Sequence, residues 1–171
     1  MENKQAFITR TVSIGGLSKE ELTRELKDAQ IMMNEYGERL FDYRAFELSR
    51  EKYSLNTIEM TVKDLGFRNG ATSAEIFKKA IESGLKLCPL ELGPYLRLHY
   101  LDQPEDRAKA LTKQHQAPSG SITLASKVII EDDTFPKGFY LRKADGVLWL
   151  RGYAADHLHV WNPEDHFIFC Q

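Results

Sequence analysis

The sequence predicts an α+β protein: a mostly antiparallel sheet with one packed helix, preceded by an N-terminal helical hairpin. Three observations carry this. Two capping boxes, Ser18-Lys-Glu-Glu21 and Thr72-Ser-Ala-Glu75, open helices in the first half of the chain. Asp145-Gly146 stands between two alternating apolar runs, a strong short-range hairpin signal. From residue 95 onward the pattern shifts from helical spacing to short, turn-bounded strands.

In order along the chain, residues 7–14 alternate as a strand and end at Gly15-Gly16. The Ser18 hydroxyl then starts a helix over residues 18–30, with Leu22, Leu26 and Ala29 on one stripe that Met33 continues. Asn34 caps a second short helix over 35–41 that presents Tyr36, Leu40 and Phe41. These elements form a unit over residues 1–50, joined by a polar stretch, 42–56, to a main domain over 57–171. A strand is expected over 57–62 and a single helical turn stopping at Gly66. The helix over 73–83 follows, burying Ile76, Phe77, Ala80 and Ile81 and ending at Gly84. Strands are expected over 95–101, 121–130, 139–142, 147–153 and 166–170, with a long polar loop over 105–120.

Composition narrows the function classes. With 171 residues, 42% hydrophobic and 28% charged content, the chain has ample material for a packed core. A formal charge of -2 gives no general attraction to phosphate backbones, and basic residues cluster only in pairs, so nucleic acid is disfavoured as a partner. The helix pair over 18–41 invites comparison with a helix-turn-helix, yet Glu35-Tyr-Gly-Glu-Arg-Leu-Phe41 offers two Glu and one Arg to base edges. No signal peptide or membrane-length apolar run is present, so a cytoplasmic setting is expected, with Cys88 and Cys170 as free thiols. Trp149 and Trp161 read as core.

The chain resembles a family of small bacterial proteins to which no activity is assigned. The residues that carry the likeness are Leu87-Cys-Pro89, Glu91, Gly93-Pro94, Leu96-Arg-Leu98 and Tyr100, with Asp102-Gln-Pro104 and Val160-Trp-Asn-Pro163. The resemblance implies neither a cofactor nor a substrate. Gly66-Phe-Arg-Asn-Gly-Ala-Thr72, the nearest approach to a phosphate loop, has the wrong glycine spacing and no lysine.

Two clusters are candidate sites. On a strand over 95–101, Tyr95, Arg97, His99 and Leu101 share a face, and with Glu91 before and Asp102 after they form an amphipathic surface suited to a carboxylate, a phosphate or a peptide. Asp156, His157 and His159 hold metal-ligand chemistry, and on a strand the two histidines share a face, but their spacing matches no metallohydrolase motif. No catalytic set and no cofactor site is predicted. The reading is a non-enzymatic cytosolic binding or accessory protein, meeting a protein partner through the N-terminal hairpin or the 95–101 strand. A small metal-assisted hydrolase built on the His157/His159 segment is the alternative, and a nucleic-acid accessory factor a further one.

Overall fold

The computed structural model describes residues 6–106 and 117–171. Its frame is a curled seven-stranded sheet. In chain order the strands are β1 (Ile8–Ile14), β2 (Met32–Met33), β3 (Tyr53–Thr61), β4 (Ala71–Thr72), β5 (Ile122–Leu124), β6 (Gly138–Ala144), β7 (Val147–Tyr153), β8 (Val160–Trp161) and β9 (His166–Cys170). The large sheet runs β1-β3-β9-β5-β6-β7-β2, and β4 pairs with β8 in a small ribbon. The helices are α1 (Lys19–Asp28), α2 (Glu35–Asp42), α3 (Ser73–Glu82) and α4 (Leu92–His99).

This corrects the expected fold class. The sheet is mixed, because β5 runs parallel to β9 and β2 parallel to β7. Among the described residues four α-helices accompany it, and the N-terminal helical pair does not stand in front of the sheet: β1 and β2 form its two edges. Both parallel pairings join segments distant in sequence, which no local pattern encodes.

The local chemistry of the caps acts as the residues dictate. Ser18 Oγ accepts from Glu21 N at 3.1 Å while Glu21 accepts from Ser18 N at 2.8 Å, and Thr72 with Glu75 repeats the exchange at the start of α3. The β6–β7 hairpin turns at Asp145 and Gly146 with φ of 51° and 76°, the paired positive values of a tight turn matched to strand twist. Asn34 caps α2 through a 2.8 Å bond from Gly37 N and also grips β7, accepting from Gly152 N at 2.8 Å and donating to Gly152 O at 3.0 Å. α2 lies so close to β7 that a Cβ on Gly152 would meet the Tyr36 carbonyl carbon at 2.5 Å.

Period-two alternation divides the sheet into two faces. The inner face carries Val12, Ile14, Ile122, Leu124, Phe139, Leu141, Leu150 and Ile168 and packs against Leu22, Leu26, Leu40, Leu92 and Leu96 of the helices. The outer face over β3 and β9 carries Ile58, Phe167 and Phe169, covered by Ile76 and Ala80 of α3 and by Trp161. Ile81, expected in that stripe, is 56% exposed and Phe77 only half-buried. The strand expected over 121–130 shrinks to Ile122–Leu124, and Val128 to Ile130 are half-buried outside it. The strand expected at 57 begins earlier, at Tyr53. Most of the loop expected over 105–120 lies outside the described residues.

The largest local correction falls on the strand expected over 95–101: residues 95–99 belong to helix α4, Tyr100 caps it and Leu101 lies in the turn that follows. Leu92, Tyr95 and Leu96 stand at i, i+3 and i+4, so the same letters that alternate as a strand also make a helical stripe. Pro94 lies in the first turn, where a missing N–H costs no helical bond. Gly93 decides the placement, because a Cβ there would meet the Phe139 ring at 2.6 Å, and only a glycine lets α4 settle onto β6.

Candidate functional site

The helical conformation dissolves the amphipathic strand face. On a helix, residues two apart point about 200° away from each other, so Arg97 and His99 cannot present one surface. Arg97 turns into the inner core and is fully buried. Its guanidinium donates to Gln103 Oε1 at 2.6 Å, to the Trp149 carbonyl at 3.4 Å and to the Tyr100 carbonyl. Burial draws its pKa down to about 10. Gln103 in turn donates to the carbonyls of Gly120 and Leu141. Arg97 and Gln103 therefore clip the end of α4 to β6, β7 and the approach to β5.

Glu91 is also buried and committed. It accepts from Ser49 N at 2.8 Å, Ser49 Oγ at 2.6 Å and Tyr53 O–H at 2.7 Å, tying the start of α4 to the segment before β3. Burial and the adjacent carboxylate push the Tyr53 hydroxyl up to about 12. Tyr95, equally buried, accepts from Leu17 N at 3.3 Å. His99, Leu101 and Asp102 are exposed and point away from this network.

The residues proposed for metal separate as well. Residues 156–159 form a turn, not a strand, held by Asp156 Oδ1 accepting from Leu158 N at 2.9 Å and by the Asp156 carbonyl accepting from His159 N at 3.2 Å. His157 faces a cleft with Glu131, Asp133 and Lys137, whereas His159 lies in a different cleft, edge-on to Trp161 with ring centroids 4.9 Å apart. Among the described residues, no three His, Cys, Asp or Glu side chains come together to hold a metal ion.

What the structure does assemble is the second of these clefts, a hollow of about 280 Å³ on the outer face. Tyr140 comes from β6, Tyr153 from β7 and Trp161 from β8; Tyr36 reaches around from α2, and Asn34, Ser121, Thr123 and His159 add polar groups to the walls. Each position follows from a local rule. Tyr140 and Tyr153 occupy outward positions of the hairpin, Trp161 is held by its indole N–H donating to Ser73 Oγ at 2.8 Å, and Tyr153 meets Trp161 edge-on at 5.5 Å. Burial pushes the Tyr153 hydroxyl up, keeping it neutral. Among the described residues, no Asp, Glu, Lys or Arg lines the cleft. Beside it, Arg151 stacks between Trp149 and Tyr140, 5.1 and 5.9 Å from the ring centroids. The sequence signal for this wall was the outward-facing set Tyr140, Trp149, Arg151 and Tyr153, legible once the hairpin register is known.

A third polar cluster crosses β1, β3 and β9. Glu59 accepts from Arg10 at 2.9 Å and meets His166 Nδ1 at 2.9 Å, and Arg10 stacks on Tyr100 at 4.2 Å. Burial raises the Glu59 carboxyl, but the bonds from His166 and Arg10 more than offset it and leave it below its ordinary value. The bond to Glu59 holds His166 above its own.

Compared with known proteins, the chain matches no family model, no curated protein and no solved structure. Among the described residues no helix is long and apolar enough to cross a membrane.

Proposed function

We propose that the protein is a non-enzymatic binding module that holds a neutral, ring-bearing ligand in the outer-face cleft. One observation carries this reading: a hollow walled by Tyr36, Tyr140, Tyr153 and Trp161 with no charged side chain among the described residues of its lining. Aromatic walls offer offset and edge-on contacts to another ring, and Asn34, Ser121, Thr123 and His159 put polar groups on the lining to orient it. A charged ligand would lose its hydration there without gaining a counter-charge. Such a ring is a free small molecule or an aromatic side chain of a partner. The setting proposed is the cytoplasm, where Cys88 and Cys170 are reduced at rest.

The test is calorimetric titration with indole and phenol derivatives. Truncating one exposed wall, Tyr36→Ala, is expected to weaken binding by about tenfold, the loss of one aromatic contact. Equal affinity in wild type and variant, or binding of carboxylates and phosphates in preference to neutral rings, would rule the cleft out.

A second reading rests on Tyr140, Arg142, Trp149 and Arg151, which alternate aromatic and cationic side chains on the outer face of one hairpin. That is the chemistry on which single-stranded nucleic acid stacks. The net charge of -2 weighs against it. Oligonucleotide binding that falls steeply with salt and disappears in Trp149→Ala would favour it over the cleft.

A further inference from the structure

The two cysteines, 82 positions apart in sequence, lie with their Sγ atoms 2.9 Å apart. They are the only cysteines of the chain, and both are buried. Their meeting has a structural origin. Residues 86–88 run beside the end of β9 and the continuation of β5: Lys86 exchanges backbone bonds of 2.8 and 2.9 Å with Cys170, and Cys88 N donates to the Ala125 carbonyl at 2.7 Å. Lys86 thus pairs with Cys170 across a two-residue bridge, and Cys88, two residues on, comes down over the same strand.

We propose that Cys88 and Cys170 are a dithiol that closes to an intramolecular disulfide when a hydroperoxide reaches it. A disulfide needs the sulfurs at about 2.05 Å, so the closure is a shift of under about 1 Å, small enough for side-chain rotation. Cys170 reacts first. The Cys88 thiol beside it lowers its pKa, burial opposes that, and the Lys86 ammonium adds to the lowering, whereas burial pushes Cys88 up. The Cys170 thiolate attacks a peroxide oxygen, the S–O bond forms as O–O breaks, and the departing oxygen leaves as water or alcohol after taking a proton. Cys88 Sγ then attacks the Cys170 sulfur, the S–O bond breaks, and hydroxide leaves with the Cys88 proton as water. Two thiols lose two electrons and one peroxide is reduced. The bond fastens the segment before α4 to β9 and closes a long loop.

The experiment uses the whole reduced chain, equimolar hydrogen peroxide, and a maleimide label read by mass spectrometry. Reduced protein is expected to take two labels once denatured. Peroxide-treated protein is expected to take none and to weigh about 2 Da less, for the two hydrogens lost. It should run as a monomer without reductant, melt higher than the reduced form, and return to two labels with dithiothreitol. Two surviving thiols, stepwise gain of oxygen, disulfide-linked dimers or an unraised melting temperature would each overturn the proposal. In Cys88→Ala, the product is expected to stop at an oxygenated Cys170; should that variant not fold, the wild-type masses still decide.

Discussion

Under α4, on the inner face of the sheet, Arg97 and Glu91 are buried and bound to carbonyls, a hydroxyl pair and a side-chain amide. Over β6 and β7 on the outer face, Tyr36 is 38% exposed and Tyr140, Tyr153 and Trp161 line an open hollow. The first region holds the more reactive-looking residue types and the second the less. The difference teaches that residue chemistry alone does not mark a site. A guanidinium or carboxylate whose bonds are already taken up by its own chain works as a fastener, because using it for a ligand would strip a buried group of its partners. Four aromatic rings around empty space keep their binding capacity unspent.

The contrast breaks first if the inner face proves tolerant. Phe139 is fully buried between α4 and Phe46, so Phe139→Ala should destabilise the fold by about 4 kcal/mol in denaturant melts. Arg97→Lys comes next. Lysine keeps the charge but cannot reach three acceptors in a fork, and a loss of about 2–3 kcal/mol with cleft binding intact is expected. An unchanged melting temperature would return Arg97 to the list of ligand-binding candidates. On the outer face, Phe77 is half-buried and meets Phe167 edge-on at 6.3 Å, so Phe77→Ala should cost only about 1–2 kcal/mol.

The smallest effect is electrostatic. His166 is held above its ordinary value by Glu59, so its contribution to stability is fully present below the ordinary histidine pKa of about 6.5 and fades as pH rises through the raised folded value. Glu59 is held below its ordinary value, so its own contribution is present above the usual carboxylate range and fades as pH falls through the lowered one. Because the His166 side chain is 46% exposed, screening limits the pair to about 0.5 kcal/mol. Comparing wild type with His166→Gln across pH 5 to 9, about the range in which histidine titrates, should show the difference shrinking with rising pH. A difference that grows would contradict the assignment.

The parts of the fold legible in the sequence are those encoded within a few residues. Ser18, Asn34 and Thr72 set helix starts, and Asp145-Gly146 sets a turn, because caps and turns answer to local hydrogen bonds and φ values. The strand expected over 95–101 is a helix to His99 because Leu92, Tyr95, Leu96 and Leu98 fit a helical stripe as well as an alternation, and what chose the helix was Gly93 meeting Phe139 across 46 positions. The same limit hid the cleft. Tyr36, Tyr140 and Trp161 belong to three separate segments, and no spacing between them signals that they converge. No spacing signals that Cys88 and Cys170 meet either, since only the pairing of residue 86 with residue 170 brings them together.

The most direct test of this division of labour is a titration of the isotope-labelled wild-type protein with indole, followed residue by residue in the amide spectrum. Shifts are expected to concentrate at Tyr36, Thr123, Tyr153, His159 and Trp161, with Glu91, Arg97, His99 and Asp102 still. Shifts centred on His99 and Asp102, or on His157 with the cleft unmoved, would contradict that division.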